Sequence, residues 1–295
     1  MKKKYPSLSL GTVQFGMDYG VTNITGKIQI DEINDILKHS RNNNIKILDT
    51  AQGYGNAEKI IGNLIKKDEF KIISKISISP HDSQSDLDKK FFKTQNNLNV
   101  QKLYGLLIHN IDKLSENKIN DIFHWLSTLK DRNLVSKVGF SIYEYEDLSN
   151  IDINKLEIIQ IPLSIYDQRF IKNSSIYKFK KSGLEIYSRS IFLQGLLLQN
   201  SNEWPDYLSN KFKKHHDDFY KLLNYDKSQI IRNVLVFQKA IEELEGVIFG
   251  VSNLKELIEI IKIWNSIDLN ELQYTNHEIW SWPNINDIDP RKWNM

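Results

Sequence analysis

No cysteine occurs anywhere in the 295 residues of this chain. That absence excludes disulfide bonds, thiolate metal ligands and a cysteine nucleophile, and it agrees with a reducing compartment. Long apolar runs are missing too, because no stretch of about 18 uninterrupted apolar residues exists to form a membrane span. Neither charge is in excess, with 39 Lys and Arg against 37 Asp and Glu. A chain this close to neutral gives no electrostatic reason to expect a nucleic-acid partner.

The chain starts with a short basic segment, Lys2 to Lys4, and no apolar stretch follows it. A secretory signal peptide needs an apolar region after its basic start, so we expect none here and expect a cytoplasmic protein. Apolar residues make up 40% of the chain and charged residues 26%, which is sufficient for one large core. No composition break divides the chain, so we predict a single domain over residues 1–295.

Short apolar runs alternate with amphipathic helical segments along the whole chain. The predicted strands are residues 8–15, 45–48, 70–76, 103–108, 135–141, 156–161, 184–188 and 246–249. Nearly continuous apolar strands separated by helices indicate a parallel sheet that is covered on its outside. Eight such repeats favour a closed (β/α)8 barrel, a TIM barrel, over an open doubly wound sheet. The Rossmann-type alternative lacks the expected G-x-G-x-x-G after an early strand.

Two regions lie outside this repeat. Residues 201–225 are polar, and we expect them to form a helical insertion after the seventh strand. Within them, His215 and His216 are adjacent and therefore point away from each other on a helix, which favours a solvated face over a metal site. Residues 273–295 form an aromatic-rich tail whose tryptophans either line a substrate pocket or cap the barrel.

Polar residues stand where the predicted strands end. Asp49 and Tyr54 follow the second strand, Lys75 ends the third, and His109 ends the fourth. In a parallel barrel these positions share the rim that carries the active site. An ammonium beside a phenol lowers its pKa, a carboxylate holds the ammonium, and an imidazole polarises a carbonyl oxygen. Taken singly, each residue is better explained as a cap, a loop aromatic or a surface charge. The prediction of a catalytic site therefore depends on their joint position at successive strand ends.

Three motifs then occur in order: Leu48-Asp49-Thr50-Ala51-x-x-Tyr54-Gly55 with Glu58, then Ser74-Lys75, then Leu107-Ile108-His109. In this order, the three motifs resemble those of the aldo/keto reductase superfamily. The similarity spans essentially the whole chain. The resemblance implies a (β/α)8 barrel that binds NADP(H), or less often NAD(H), without a Rossmann unit. It also implies that Tyr54 donates a proton, Lys75 lowers its pKa, Asp49 supports Lys75, and His109 orients the carbonyl group.

The resemblance further implies where the cofactor binds. The matching positions are Gly11, Thr12, Asp49, Ser141, Gln160, Arg189, Ser190, Leu193, Gln194, Gly195, Gly250, Ser252, Asn253 and Lys255. Ser141 and Gln160 match residues that hold the carboxamide, although Ile142 stands where the family commonly has Asn. Arg189 aligns with a tyrosine that stacks on the nicotinamide, and an arginine plane there adds positive charge beside the ring. The segment from Leu193 to Gly195 falls where the family wraps the pyrophosphate.

The adenosine end departs most from the family. Many relatives carry Lys-Ser after the last strand and an Arg six positions beyond that Lys, whereas this chain has Gly250, Val251 and Glu256 there. The residues that remain for a 2′-phosphate are Ser252, Asn253 and Lys255. We therefore predict NADP as the cofactor with NAD as the alternative, and only a modest preference between them.

The opening segment 10–20 and the later segment 189–195 resemble one bacterial branch of the family, associated with surface-polysaccharide gene clusters. This similarity implies carbohydrate metabolism, with a sugar or nucleotide sugar as the carbonyl substrate. Two alternatives stay open at this point. One is a cofactor-binding regulatory subunit with little turnover, and the other is a barrel lyase or isomerase that acts on a sugar without a nicotinamide.

Overall fold

The computed structural model describes residues 5–111, 114–149, 151–268, 270–271 and 277–293. Eight parallel strands hydrogen-bond in chain order, and the eighth pairs with the first, so the sheet closes into a barrel. The strands are β1 Ser7–Gly11, β2 Ile47–Asp49, β3 Lys71–Ile76, β4 Leu103–Ile108, β5 Val135–Ser141, β6 Ile158–Pro162, β7 Glu185–Arg189 and β8 Leu244–Phe249. This topology confirms the predicted (β/α)8 barrel.

Helices connect most of the strands. They are α1 Ile30–Asn42, α2 Ala57–Leu64, α3 Gln84–Leu98, α4 Glu116–Asp131, α5 Ser175–Lys181, α6 Asn210–Leu222, α7 Lys227–Ala240 and α8 Leu254–Ser266, with single turns at Val13–Gly16, Arg169–Lys172 and Ile285–Ile288. The connection from β5 to β6 differs from the predicted repeat, because its described residues form only the short 3₁₀ helices Tyr145–Leu148 and Ile153–Lys155. Among the described helices, none combines the length and apolarity that a bilayer crossing needs.

Local signals in the sequence explain where the helices begin. Ser83 accepts a hydrogen bond from the Asp86 backbone N–H, and the Asp86 side chain accepts one in return, which is a capping box at the start of α3. Ser115 caps α4 with its side-chain oxygen, which accepts a hydrogen bond from the Lys118 backbone N–H. The helices then turn apolar stripes toward the barrel, as α1 does with the buried residues Ile33, Ile36 and Leu37.

The first strand is shorter than predicted, and the apolar run from Val13 to Gly16 forms a helical turn instead. Thr12 ends the strand because its backbone N–H and its hydroxyl both donate to the Asp49 carbonyl oxygen, at 3.0 and 2.9 Å. The turn packs tightly on the loop after β2, since a Cβ on Gly16 would lie 1.8 Å from the Tyr54 carbonyl oxygen. The glycine therefore brings the turn against the loop that carries Tyr54.

The predicted insertion contains α6, which is packed on both sides. The Phe212 ring lies 5.2 Å from the ring of Trp282 in the C-terminal tail, and the Phe219 ring lies 5.0 Å from Trp280. His216 is fully buried and contacts Tyr166. The expectation of a solvated face is therefore wrong for His216, which Tyr166, Gln199 and Trp204 enclose. His215 is partly buried, and its Nε2 lies 3.0 Å from the Trp280 carbonyl oxygen in the tail. Of the two alternatives for the tail, the contacts with α6 favour a cover over a pocket wall.

Candidate active site

Alternation along the strands sets the position of the functional side chains. A cluster of six buried residues fills the inside of the barrel: Ile47, Ile73, Leu107, Ile158, Tyr187 and Ile248. Residues two positions apart on a strand point to the same side. The next residues toward the carboxyl ends are therefore directed inward above this cluster, and they are Asp49, Lys75, His109, Gln160, Arg189 and Gly250.

Lys75 is the centre of a buried polar group. Its Nζ lies 2.8 and 2.7 Å from the two carboxylate oxygens of Asp49, and it donates to the Thr50 carbonyl oxygen at 2.9 Å. The Tyr54 hydroxyl lies 3.4 Å from the same Nζ. Lys75 is 1% exposed and Asp49 is 3% exposed, so water does not screen this ion pair. The structure thus brings together three of the four predicted catalytic residues by direct contact.

A second support for Asp49 was missed by the sequence reasoning. The Gln160 side-chain N–H donates to Asp49 Oδ1. Gln160 Oε1 and the hydroxyl of Ser141, its register partner on β5, are buried without a hydrogen-bond partner in the described part of the chain. The sequence did contain a signal for this contact. Asp49 and Gln160 each lie two positions beyond an inward-facing residue of their strand, Ile47 and Ile158, so both are directed into the barrel.

Burial dominates the electrostatics of Tyr54. It raises the pKa of the phenol well above the ordinary value, the Asp49 carboxylate raises it further, and Arg189 lowers it. The sequence led us to expect a pKa lowered by Lys75, but in the structure the Lys75 charge is balanced by two carboxylate oxygens of Asp49. A phenol with a raised pKa keeps its proton at neutral pH, so Tyr54 is suited to donate a proton.

His109 follows β4 and completes the group. Burial lowers its pKa to about 3, and the charges of Lys75 and Arg189 lower it too. The imidazole is therefore neutral at physiological pH. A neutral imidazole carries one N–H, which can donate a hydrogen bond to a carbonyl oxygen without competing for the proton of Tyr54.

These side chains open into a cavity of about 370 Å³ at the carboxyl ends of the strands. Residues predicted for catalysis or cofactor binding that line it are Gly11, Thr12, Asp49, Tyr54, His109, Arg189, Ser190, Gln194, Gly195, Gly250 and Ser252. Six others lie outside its wall: Lys75, Ser141, Gln160 and Leu193, which are buried, and Asn253 and Lys255. Sequence reasoning missed wall residues outside the strands, among them Gln14, Tyr19, Tyr143 and Lys227. Within the described residues, no cluster of histidines and carboxylates has the composition of a metal site.

Comparison with known proteins identifies the family of this chain. The profile of the Aldo/keto reductase family matches residues 7–279. The chain belongs to the aldo/keto reductase family. It is an NAD(P)-dependent oxidoreductase, and the family uses NADP(H). No curated protein sequence matches the chain significantly.

Solved aldo-keto reductases share the fold of this chain at low sequence identity. One from Bacillus halodurans, in its holo form, is 15% identical with a TM-score of 0.70, over 92% of this chain and 94% of that one. One from Klebsiella pneumoniae, in complex with NADPH, is 14% identical with a TM-score of 0.69, over 100% of this chain and 99% of that one.

In this family member, the loop after β7 has an unusual backbone. Ser190, Leu193 and Gln194 have positive φ angles of 60, 48 and 53°, and Gly195 has 95°. Non-glycine residues with such angles store strain, and strain of this kind concentrates at functional sites. The loop meets the segment after β1, since a Cβ on Gly195 would lie 1.9 Å from the Thr22 hydroxyl. Both segments line the cavity.

The start of α8 is already occupied by acidic side chains. The Ser252 N–H donates to Glu256 Oε2 at 2.7 Å, and the Leu254 N–H donates to Glu32 Oε1 at 3.0 Å. Asn253 caps the helix by accepting from the Glu256 N–H. Ser252 and Asn253, which the sequence left for a 2′-phosphate, therefore lie at a helix start whose positive end is satisfied by two carboxylates.

Proposed function

We propose that the protein is a carbonyl reductase that converts an aldehyde or ketone to an alcohol with a nicotinamide cofactor, or catalyses the reverse reaction. One observation carries this proposal. The Lys75 ammonium bridges the Asp49 carboxylate and the Tyr54 hydroxyl, at 2.7 and 3.4 Å, beside a neutral His109 in a cavity. This arrangement supplies a protonated phenol and a neutral hydrogen-bond donor to one carbonyl oxygen.

The unsatisfied polar atoms below the cavity fit the carboxamide of a nicotinamide. Ser141 Oγ and Gln160 Oε1 are buried acceptors without a partner in the described chain, and an amide NH₂ group offers two donors. Gly11 offers a bare backbone, since a Cβ there would already touch Phe249 O at 3.3 Å. We assign the remaining predicted wall residues, Ser190, Gln194, Gly195, Gly250 and Ser252, to the rest of the dinucleotide.

When bound, the nicotinamide supplies a hydride to the carbonyl carbon. Tyr54 gives its hydroxyl proton to the carbonyl oxygen, so that the product is a neutral alcohol. His109 donates a hydrogen bond that holds this oxygen near Tyr54 and stabilises the negative charge that develops on it. Lys75 stabilises the phenolate that forms, and Asp49 keeps Lys75 charged and in place.

For the substrate we propose a sugar or a nucleotide sugar. The similarity of segments 10–20 and 189–195 to the polysaccharide-associated branch supports this class. The cavity wall also carries polar groups suited to sugar hydroxyls, from Tyr19, Asn23, Tyr143 and Gln194.

Cofactor binding and turnover test the proposal together. Purified protein is titrated with NADPH and NADH by fluorescence, and then assayed with nucleotide sugars and simple aldehydes. We expect binding of the cofactor and reduction of at least one carbonyl class, with loss of turnover in the Tyr54→Phe variant. Binding without turnover on any carbonyl compound would instead support a regulatory subunit, and absence of binding would reject the proposal.

A further inference from the structure

Arg189 is a cation in the cavity wall whose role the reaction does not explain. It ends β7, and its guanidinium carbon lies 4.1 Å from the centre of the Tyr143 ring. Its Nη2 donates to the Ile142 carbonyl oxygen at 3.1 Å, and Nη1 lies 3.5 Å from the Ser190 hydroxyl. A guanidinium has five N–H donors, so most of its donors remain available.

Other partly buried arginines in this protein have carboxylate partners. Arg169 pairs with Asp167 at 2.8 Å, and Arg291 pairs with Asp289 at 2.7 Å. Arg189 has no carboxylate within ion-pair distance in the described part of the chain, and its buried Nε has no hydrogen-bond partner there. A partly buried charge without a counter-charge is costly unless a ligand supplies one.

The charges around the cavity leave Arg189 uncompensated. Asp49 balances Lys75 through two short contacts, and His109 is neutral. Glu256 also lines the cavity, but its carboxylate accepts the Ser252 N–H beyond β8. The end of the cavity beside Tyr54 therefore has a net positive charge that comes from Arg189.

The guanidinium is also held in position before any ligand arrives. One face lies on the Tyr143 ring, whose centre is 3.9 Å from the Arg291 guanidinium carbon. Arg291 is fixed by Asp289 at 2.7 Å and Glu144 at 3.4 Å. A prearranged fork loses little conformational entropy on pairing with an anion.

From this geometry we propose that the substrate carries an anionic group, a carboxylate or a phosphate, that pairs with Arg189 while the carbonyl group meets Tyr54 and His109. This inference rests on the proposed reductase function and specifies its substrate class. A carboxylate or a phosphate matches the fork of a guanidinium with two parallel hydrogen bonds. The pairing also supplies the counter-charge that Arg189 lacks.

Two pairs of aldehydes, each with one anionic and one neutral member, test the inference. The carboxylate pair is 4-carboxybenzaldehyde and 4-nitrobenzaldehyde, and the phosphate pair is glyceraldehyde 3-phosphate and glyceraldehyde. The readout is the ratio of kcat/KM for the charged aldehyde to that for the neutral one. In the native protein we expect a ratio of at least about 10 in one of the two pairs, and that pair identifies the anion. In Arg189→Leu this ratio should fall by at least about tenfold. The ratio in Arg189→Lys should lie between those of Arg189→Leu and the native protein.

The ratio separates recognition of the anion from a general defect, because losses common to both aldehydes cancel. Lys211→Ala is the matched control, since it removes a positive charge at an exposed position of α6 outside the cavity wall. We expect its ratio to equal that of the native protein. An unchanged ratio in Arg189→Leu, or no preference for either charged aldehyde in the native protein, overturns the inference.

Direct binding distinguishes this inference from the reductase proposal. The anionic alcohols 4-(hydroxymethyl)benzoate and glycerol 3-phosphate are titrated into native protein and Arg189→Leu by calorimetry. Binding that depends on Arg189 without turnover of any aldehyde supports the anion site and rejects the reductase. Turnover of neutral aldehydes without Arg189-dependent binding rejects the anion site alone.

Discussion

Lys75 and Asp49 form a buried ion pair in which one ammonium faces both carboxylate oxygens, at 2.7 and 2.8 Å. Burial lowers the pKa of Lys75, and the Asp49 carboxylate opposes that change. Water cannot take the place of either partner, because the side chain of Lys75 is 0% exposed and that of Asp49 is 5% exposed. Each residue therefore depends on the other to remain charged inside the barrel.

Lys75→Met is expected to abolish reduction at neutral pH and to destabilise the fold by about 3–5 kcal/mol, because a buried carboxylate loses its partner. The double variant Lys75→Met with Asp49→Asn should recover part of that stability without recovering activity. Urea denaturation measures the free energy of unfolding, and circular dichroism shows whether each variant is folded. Retained activity with an unchanged pH profile in folded Lys75→Met would show that Lys75 is not part of the reaction.

Tyr54→Phe should reduce kcat by at least about two orders of magnitude, which is the usual contribution of a general acid. The phenol donates a proton but does not need to touch the dinucleotide, so the Kd for NADPH should stay within about twofold of native. Stopped-flow reduction of a reactive aldehyde measures the first quantity, and fluorescence titration measures the second. Full activity in this variant would falsify the role of Tyr54.

The repeating features of this protein are visible in its sequence. The bounds of β4 and β5 are those predicted, because β4 is an uninterrupted apolar run and β5 carries the apolar residues Val135, Val138 and Phe140 between polar segments. Asp49, Lys75 and His109 could be placed on one rim for the same reason, since strand ends share one face of the barrel. Local pattern and periodicity are sufficient for such features.

Other features depend on contacts between distant segments. The apolar residue Phe15 fits a strand or a helical turn equally well, and the contact of Gly16 with the Tyr54 loop decides for the turn. The burial of His216 depends on Tyr166, which lies 50 residues earlier in the chain, and the direction of the Tyr54 pKa shift depends on burial and on Asp49. Residue type and spacing alone therefore cannot predict the helical turn, the buried histidine or the direction of the pKa shift.

His216 makes the fold sensitive to acid. Its Nε2 lies 2.8 Å from the Gln199 carbonyl oxygen, and its Nδ1 lies 2.7 Å from the Tyr166 hydroxyl. A carbonyl can only accept, so Nε2 carries the proton and Nδ1 accepts from Tyr166. Burial lowers the pKa of His216 to about 4. Below pH 6.5 the unfolded chain therefore takes up a proton that the folded protein refuses, and stability falls as the pH drops toward 4.

The expected loss from this one histidine is up to about 3 kcal/mol between pH 6.5 and 4. Urea denaturation over this range should show a shallower pH slope in His216→Gln than in the native protein. Some slope remains in the variant, because burial also lowers the pKa of His277 to about 4. His124→Gln, at an exposed position on α4, is the control and should keep the native slope. Equal slopes in native protein and His216→Gln would contradict this assignment.

Glu256 should limit the preference for NADPH, because its carboxylate occupies the start of α8 where a 2′-phosphate would need cations. We expect native protein to prefer NADPH over NADH by only about tenfold, or 1.4 kcal/mol. Glu256→Gln keeps an acceptor for the Ser252 N–H and removes the charge, so it should tighten NADPH by about threefold to tenfold while NADH changes little. Glu259→Gln, on the same helix but outside the cavity wall, is the control and should change neither Kd.

Both cofactors are titrated by fluorescence against the three proteins. A thousandfold preference for NADPH in the native protein, or the same Kd in Glu256→Gln, would mean that the phosphate binds elsewhere.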